Sequence, residues 1–385
     1  MEQKGTHDTP HASRSSLWRE SNQAGLPVPT SRMRMIVQLV LLAAPLAVPA
    51  LAQNGAPNPY AVGGQWGRLP PGRSWGSTSA IYPDRDRSGT LTGRIWVAER
   101  CGGGHCRDSD LDPILLFDAD GNLLRSFGAG LFLWPHGIHV DPRGNVWVTD
   151  AVHTDCEPDE NVSRGHQVHK FSPTGELLMS LGRAGTPGDG TDTFRCPSDV
   201  LVSDTGDIFV GDGHNHGHGG NNRIVKFTST GEFVEAWGAA GSGPGEFLGI
   251  HALAMDSQGR LFVGDRANSR IQVLSSDGSH FATWIQFGSP SGIYIDEHDR
   301  IFVADSDSGF DPESSGEPRN PGFARGIYIG DARTGIVEAF IPDPGPDYTR
   351  VTSGAEGVVV SAGAVFGAQV GGSKGVLRYA PARDP

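Results

Sequence analysis

A pattern of two short apolar strands joined by a polar turn recurs along the chain. In the clearest copies an apolar strand ends at a turn of the form D-x-x-G, and a second strand rich in β-branched and aromatic residues follows. This pattern predicts a β-hairpin at each copy. The copies lie at residues 78–99, 135–150, 197–212, 250–265, 290–305 and 355–369.

A second hairpin follows most copies, so the repeating unit has four strands and recurs roughly every 40 to 65 residues. Four-stranded units at this interval are typical of β-propeller blades. Six units predict an all-β, six-bladed β-propeller, whereas a β-sandwich does not account for the repetition. The last unit lacks a fourth strand after residues 375–379. The extended segment Tyr60–Trp66 is predicted to supply that strand and to close the ring.

Composition agrees with a turn-rich β protein. The chain has 55 glycines and 27 prolines among 385 residues, which is too many for a helical bundle. Its formal net charge of −13 argues against a nucleic-acid partner, which would require a basic face.

The one segment apolar enough to enter a membrane lies at residues 36–52. Arg32 and Arg34 precede it, and it ends in an A-x-A sequence at Ala52, which is the pattern of a secretory signal peptide. A transmembrane helix would need about 20 apolar residues. We therefore expect cleavage after Ala52 and a secreted or periplasmic monomer with no membrane partner. Residues 1–52 form an extension with the signal, and residues 53–385 form one propeller domain.

The four cysteines form an even set, which an oxidising compartment permits. Cys101 and Cys106 flank a glycine-rich turn, and Cys156 and Cys196 are the other possible pair. Three connectivities are possible, and a zinc site using His105 is an alternative. The loop at residues 151–165 and the segment before the third unit are expected on one face, which favours a bridge between Cys156 and Cys196.

Propeller geometry predicts which residues meet at the mouth of the central channel. The first strand of each blade lines the channel and begins on the face where the second strand ends. Successive blades place one residue each at the equivalent channel position, namely Ser79, His136, Ser198, His251, Ser291 and Glu356.

His136, His251 and Glu356 fall on alternate blades, about 120° apart around the axis of a six-bladed ring. Two imidazoles and a carboxylate in such an arrangement are a typical ligand set of a catalytic metal with an open coordination position. We expect zinc, with another divalent ion as the alternative. The competing interpretation is a set of hydrated polar residues lining the channel.

Three further side chains are expected at the same mouth. Arg100 and Arg266 follow the second strands of blades 1 and 4, where they would bind the carboxylate of a small anionic or peptide substrate. Structural ion pairs with Glu99, Asp265 or a residue of a neighbouring blade are the alternative. His214 stands at the start of a glycine-rich loop and is the candidate general base. His216 and His218, farther along that loop, are expected to be surface residues.

The linker Trp237–Phe247, followed by the sequences GRLFVGDR and NSRIQ, resembles NHL-repeat propellers. More narrowly, the order PHG, PSDV, GDG, IHALA and GDR resembles the lyase domain of peptidylglycine α-amidating enzymes. The resemblance extends from about Trp75 to Tyr379. It implies cleavage of a peptidyl-α-hydroxyglycine to a peptide amide and glyoxylate.

The resemblance also implies site residues. The zinc of these enzymes is held by three channel histidines, of which two correspond to His136 and His251 and the third to Glu356. Their structural calcium requires an aspartate where this chain has Gly357, so calcium is not expected.

The substrate-binding arginines of these enzymes correspond to Arg100 and Arg266. Their catalytic tyrosine corresponds to His214. The resemblance therefore implies a zinc-dependent carbon–nitrogen lyase in which a histidine occupies the position of the base.

Two other functions remain open from the sequence. NHL propellers also serve as non-catalytic modules that bind a peptide, glycan or protein through their loops, and fold alone does not determine function. Six-bladed propellers that hydrolyse lactones are a third class, but these usually coordinate calcium through carboxylate and amide groups. Metal content and the effect of substituting His136 and His251 would discriminate among them.

Overall fold

The structure is a computed structural model that describes residues 53–152, 156, 163–214, 220–310, 318–345, 354–371 and 374–382. The predicted signal peptide therefore lies outside the described residues. Within them, no helix is long and apolar enough to cross a bilayer.

Twenty-six strands, numbered in chain order, make up the described part of the chain. Six antiparallel four-stranded sheets contain all but two of them, which confirms the six-bladed β-propeller. Blade 1 contains β2 (Thr78–Arg85), β3 (Leu91–Glu99), β4 (Ile114–Phe117) and β5 (Leu123–Phe127). Blade 2 contains β6 (Trp134–Val140), β7 (Val146–Ala151), β8 (Gln167–Phe171) and β9 (Leu177–Leu181). Blade 3 contains β10 (Pro197–Val202), β11 (Ile208–Asp212), β12 (Arg223–Phe227) and β13 (Phe233–Trp237).

Blades 4 to 6 complete the ring. Blade 4 contains β14 (Ile250–Met255), β15 (Leu261–Asp265), β16 (Arg270–Leu274) and β17 (His280–Trp284). Blade 5 contains β18 (Pro290–Ile295), β19 (Arg300–Asp305), β22 (Gly326–Asp331) and β23 (Val337–Pro342). Blade 6 contains β24 (Ala355–Ser361), β25 (Ala364–Gln369), β26 (Gly375–Pro381) and β1 (Tyr60–Trp66). A hairpin of β20 (Gly309–Phe310) and β21 (Pro318–Arg319) is inserted into blade 5, and a 3-10 helix spans Arg266–Asn268.

The last blade is closed by the N-terminal strand, as the sequence predicts. Strand β1 pairs antiparallel with β26, and Trp66 lies opposite Val376. The Trp66 ring packs against Phe117 of blade 1 and Phe366 of blade 6, so β1 also joins the first and last blades.

Contacts within the D-x-x-G turn itself stabilise the turn, and blade 2 provides an example. An oxygen of Asp141 accepts hydrogen bonds from the backbone N–H groups of Arg143 and Asn145, and its other oxygen accepts one from the Trp147 indole. Gly144 supplies the left-handed conformation that the turn requires, with φ of 80°. The carboxylate thus fixes both the turn and the buried tryptophan that follows it.

In blades 2 to 5, an aspartate at or next to the end of the second strand holds the chain where it enters the blade. Asp150 accepts hydrogen bonds from the backbone N–H groups of Leu133 and Trp134, and Asp265 accepts one from Leu248. Equivalent bonds join Asp212 to Arg195 and Asp305 to Ser289. These contacts fix the starts of the channel-lining strands.

Two disulfides are present, Cys101–Cys106 and Cys156–Cys196. They are the two pairs that the sequence favours, and the alternative zinc site that includes Cys101, Cys106 and His105 is therefore wrong. Paired cysteines are typical of proteins in an oxidising, extracytoplasmic compartment.

Candidate metal centre

The first strands of the six blades, β2, β6, β10, β14, β18 and β24, contact one another around a narrow central channel with a volume of about 40 Å³. The six predicted channel residues lie near the starts of these strands, and all six are buried. His136, His251 and Glu356 are among the residues that line the channel.

The serines at this level support the scaffold. The Ser79 hydroxyl donates a hydrogen bond to the carbonyl of Pro135 at 3.1 Å, and the Ser198 hydroxyl donates one to Gly211 at 3.0 Å. These hydroxyls are therefore used within the propeller and contribute no free donor at the channel mouth.

Three buried histidines form a cluster with the geometry of a metal site. One ring nitrogen from each of His136, His214 and His251 lies within 4.8 Å of the other two. His136 and His251 come from the strands β6 and β14. His214 comes from the loop that follows β11, and its ring lies 4.4 Å from that of His136 and 4.8 Å from that of His251, centroid to centroid.

Backbone carbonyls orient the two strand-borne imidazoles. Nδ1 of His136 lies 2.7 Å from the carbonyl oxygen of Ser198, and Nδ1 of His251 lies 2.6 Å from that of Ser291. A carbonyl oxygen only accepts, so each Nδ1 carries the proton and donates it. Each Nε2 is then left with a lone pair directed into the channel, which is the arrangement found in metal-binding histidines.

The lone pairs of the cluster converge on a small volume. Nε2 of His251 lies 3.1 Å from Nε2 of His214 and 3.1 Å from Oε1 of Glu356. Nε2 of His136 is buried and has no hydrogen-bond partner among the described residues. Two ligands of one tetrahedral zinc ion lie about 3.3 Å apart, because zinc–ligand bonds are about 2.0 to 2.1 Å. The spacing of His251 from His214 and from Glu356 therefore fits a shared cation, and a ring nitrogen of His136 lies within 4.8 Å of one ring nitrogen from each of the other two imidazoles.

Burial keeps the cluster in the form that binds metals. Desolvation, with the neighbouring positive groups, lowers the pKa of His136 and His214 well below 6.5, and that of His251 also falls. Burial would raise the pKa of Glu356, but His251 and Arg266 outweigh it and lower that pKa well below its usual value. At neutral pH the site therefore contains neutral imidazoles and an ionised carboxylate.

The structure brings together five of the six predicted site residues, but their grouping differs from the prediction. The sequence assigns His136, His251 and Glu356 as ligands and His214 as the base. In the structure the three histidines form the cluster, while Glu356 is tied to residues on one side of it. One Glu356 oxygen accepts a hydrogen bond from the Ser306 hydroxyl at 2.5 Å, and the other lies 3.4 Å from Arg266.

The sixth residue, Arg100, has a different environment from Arg266. Its guanidinium lies over the Trp134 ring at 3.7 Å, and the one hydrogen bond of this side chain to a described residue is from Nε to the Pro135 carbonyl at 3.4 Å. Burial lowers the pKa of Arg100 to about 9, which leaves it charged at neutral pH. A buried cation with no carboxylate in ion-pair contact among the described residues can bind an anion.

Of the predicted structural ion pairs, those with the preceding acids are wrong, whereas Arg266 does form an ion pair with Glu356 of blade 6. Glu99 forms its ion pair with Arg73, and Asp265 forms its ion pair with Arg270. Because those carboxylates are already paired with other residues, Arg100 remains available at the channel mouth.

Two residues of the site were missed by sequence reasoning. Trp134 stacks on the His136 ring and meets the His214 ring edge-on, with centroid distances of 5.1 and 5.0 Å. Ser306 follows the second strand of blade 5, so alignment with Arg100 and Arg266 was the signal that could have found it. His216 and His218 lie outside the described residues.

Comparison with known proteins agrees with the fold. Residues 194–305 match a family model described as a 6-bladed beta-propeller. This segment contains His214 and His251 but not Arg100, His136 or Glu356.

Several curated proteins are similar to the chain over about half its length. The mouse peptidyl-glycine alpha-amidating monooxygenase is 37% identical over 187 residues, which are 46% of this chain and 17% of that protein. A probable peptidyl-alpha-hydroxyglycine alpha-amidating lyase of Caenorhabditis elegans is 32% identical over 208 residues, covering 52% of this chain and 55% of the relative. The mouse NHL repeat-containing protein 3 is 32% identical over 203 residues, covering 51% and 52%.

The chain thus matches about half, or less, of the length of these relatives. It is a six-bladed β-propeller related in sequence to NHL-repeat and α-amidating proteins, among which are proteins named as lyases.

Proposed function

We propose that the chain is an extracytoplasmic, divalent-metal-dependent lyase that cleaves a C–N bond in a small substrate with a carboxylate group. The observation that carries this proposal is the cluster of three buried imidazoles, in which one ring nitrogen of each lies within 4.8 Å of the other two. The likeness to proteins named as α-amidating lyases supports the reaction class and an α-hydroxyglycine substrate.

We assign His136, His214 and His251 as the zinc ligands. The orphaned Nε2 of His136 and the 3.1 Å spacing between the other two Nε2 atoms support this set. Zinc held there would polarise an oxygen of the substrate and lower the pKa of its hydroxyl group.

Arg100 binds the substrate carboxylate in this proposal, because its terminal nitrogens are not engaged by any described residue. Arg266 is shared with Glu356, so it orients that carboxylate and contributes charge to the same mouth. The substrate is therefore held by one arginine, rather than by the two that the sequence suggests.

Glu356 accepts the proton of the substrate hydroxyl at Oε1, and this role replaces the assignment of His214 as the base. The electron pair of the O–H bond then forms the C=O bond of glyoxylate. The C–N bond breaks, and its electron pair takes up at nitrogen the proton that Glu356 had accepted, which gives the amide and restores the carboxylate. Ser306 holds the second Glu356 oxygen and keeps Oε1 directed at the cluster.

The reaction is tested with the mature protein, purified without a histidine tag. Elemental analysis should find about one divalent ion per chain. Incubation with N-benzoyl-α-hydroxyglycine should release glyoxylate, and the release should stop after chelation and return when zinc is added.

Two variants at equivalent channel positions provide the control. His136→Ala should lose both metal and activity, whereas Ser79→Ala, one blade away, should keep both. A protein with its full metal content that releases no glyoxylate would exclude lyase activity on this substrate. Equal activity in the two variants would exclude the metal centre.

The extracytoplasmic location has its own test. When the full chain is expressed in a bacterium with a periplasm, the exported protein should begin at Gln53 and contain no free thiols. Cytoplasmic retention with residues 1–52 intact and reduced cysteines would contradict this part of the proposal.

A further inference from the structure

We infer that the two disulfides position different functional groups: Cys156–Cys196 positions the metal ligand His214, and Cys101–Cys106 positions the anion-binding Arg100. This inference rests on the roles that the proposed function gives to His214 and Arg100. Neither residue lies on a channel-lining strand, so neither is fixed by the repeating geometry of the blades.

The backbone of Cys196 holds the start of the loop that contains His214. The Cys196 carbonyl accepts hydrogen bonds from the backbone N–H groups of Gly213 and His214, both at 3.1 Å. The Cys196 N–H lies 3.3 Å from Nδ1 of His166, which accepts its hydrogen bond. The loop is therefore anchored through a cysteine whose own position is restrained by the disulfide to Cys156.

Cys196 adopts a backbone conformation that a residue with a side chain seldom adopts without restraint. Its φ is 60°, and the φ of its partner Cys156 is 56°. The covalent bond helps to keep both residues in this left-handed region. Without it, the carbonyl that holds His214 is free to move.

Side-chain packing adds a second connection between this disulfide and the imidazoles. Cys156 and Cys196 form a buried cluster with Ala151 and Trp134. Trp134 is in turn in contact with the rings of both His136 and His214. Loss of the Cys156–Cys196 disulfide thus loosens the packing of Trp134 against the His214 ring.

The second disulfide also lies close to Trp134, through the loop that it closes. It closes a loop whose cysteines are five residues apart, and Arg100 immediately precedes it. The Arg100 carbonyl accepts a hydrogen bond from Gly103 at 2.8 Å, and the Arg100 N–H donates one to Ser77 at 2.9 Å. The Gly104 carbonyl accepts the indole N–H of Trp134 at 3.1 Å, so this loop holds both Arg100 and the ring beneath its guanidinium.

Experiments should therefore separate the effects of the two disulfides. Each disulfide is removed by a double substitution, and each double variant serves as the control for the other. Cys156→Ala with Cys196→Ala should lower zinc affinity by about 10-fold to 100-fold, as is typical when groups that orient a ligand are lost. Cys101→Ala with Cys106→Ala should leave zinc affinity within about threefold of the original but weaken binding of an anion by about 10-fold.

Zinc affinity is measured by competition with a chromophoric chelator, and anion binding is measured by calorimetry with N-benzoylglycine on the zinc-loaded protein. Neither readout depends on turnover. Circular dichroism and thermal melting verify that both variants are folded under the conditions used.

A further variant keeps the disulfide and disturbs only the anchor. Gly213 has φ of 152°, and a Cβ added there would lie 2.5 Å from the backbone nitrogen of Asn222. Gly213→Ala should therefore lower zinc affinity even if the cysteine variants do not fold.

The outcomes separate this inference from the proposed function. A wild-type protein that binds no zinc overturns the proposed function. If Gly213→Ala and the Cys156/Cys196 variant both bind zinc as tightly as the wild-type protein does, only the positioning role is overturned. The positioning role is also overturned if the two disulfide variants lose zinc affinity equally.

Discussion

The strand-borne histidines and the loop-borne histidine of the cluster are held in different ways. His136 and His251 occupy the same position two blades apart, and each donates from Nδ1 to the carbonyl of the serine at that position in the next blade. His214 has no such partner, because its Nδ1 is buried without a hydrogen bond to a described residue. The repeat therefore orients two ligands by the same contact, while the third depends on an irregular loop.

This difference has a general physical basis. Each channel-lining strand is hydrogen-bonded to a second strand and packed between neighbouring blades, so side chains near its start have little freedom. A loop residue takes its position from a few contacts with other loops. We expect substitutions to have equal effects at His136 and His251 and a different effect at His214.

The largest effect is expected when a strand-borne ligand is removed. His136→Ala and His251→Ala should each reduce zinc affinity by more than about 100-fold, because an oriented ligand is lost from a dry site. Competition with a chromophoric chelator measures this. The symmetry of their hydrogen bonds requires the two losses to agree within about tenfold, and a larger gap would show that the blades are not equivalent.

A smaller effect is expected at the loop-borne ligand. His214→Ala should reduce zinc affinity by about 10-fold to 100-fold, since Glu356 lies 3.1 Å from His251 and can take the vacated coordination position. Replacement of zinc by cobalt provides a spectroscopic check, because the visible absorption of cobalt changes when oxygen replaces nitrogen. If His214→Ala lost as much zinc affinity as His251→Ala, the loop-borne ligand would be as important for binding as the strand-borne ones, contrary to this prediction.

The effect of metal removal on stability should follow the same order. Chelation should lower the free energy of unfolding of the wild-type protein by about 2.7 kcal/mol when zinc had been present at 100 times its dissociation constant. At the same zinc concentration the decrease should be smaller for His214→Ala and no more than about 0.4 kcal/mol for His136→Ala. Denaturant titration with and without chelator measures it, and a decrease in His136→Ala as large as that of the wild-type protein would place the bound ion elsewhere.

The smallest effect is expected from the hydroxyl behind Glu356. Ser306→Ala removes the 2.5 Å hydrogen bond to the carboxylate but no ligand, so zinc affinity should change by no more than about threefold while turnover falls by about tenfold. Ser79→Ala is the control, because its hydroxyl bonds only to a backbone carbonyl of the scaffold. A loss of zinc from Ser306→Ala would instead make Glu356 a ligand.

Repetition is what made part of the site predictable from sequence. The hairpin pattern gave the blades, and alignment of the blades gave His136 and His251 as neighbours across the channel. The same alignment placed Glu356 at the channel but could not show that Arg266 and Ser306 draw its carboxylate to one side. Which atoms a side chain contacts depends on residues from other blades.

The loops could be predicted only in part. The Cys156–Cys196 disulfide followed from which segments share a face, and Cys101–Cys106 followed from the glycine-rich turn between its cysteines. The position of His214 against two other imidazoles depends instead on the Cys196 carbonyl and the Trp134 ring. Neither contact leaves a periodic signal in the sequence. Trp134 was missed for the same reason, since a tryptophan at the start of a channel strand is usually part of the core.

The pairing of β1 with β26 has a consequence for how the protein matures. Blade 6 can be completed only after the whole propeller sequence has been synthesised, because its outermost strand comes from the other end of the chain. Bringing such distant segments together is a slow, late event in folding. If the leader is removed after Ala52, seven residues remain before Tyr60. Proteolysis that continues past them would remove the strand that completes blade 6.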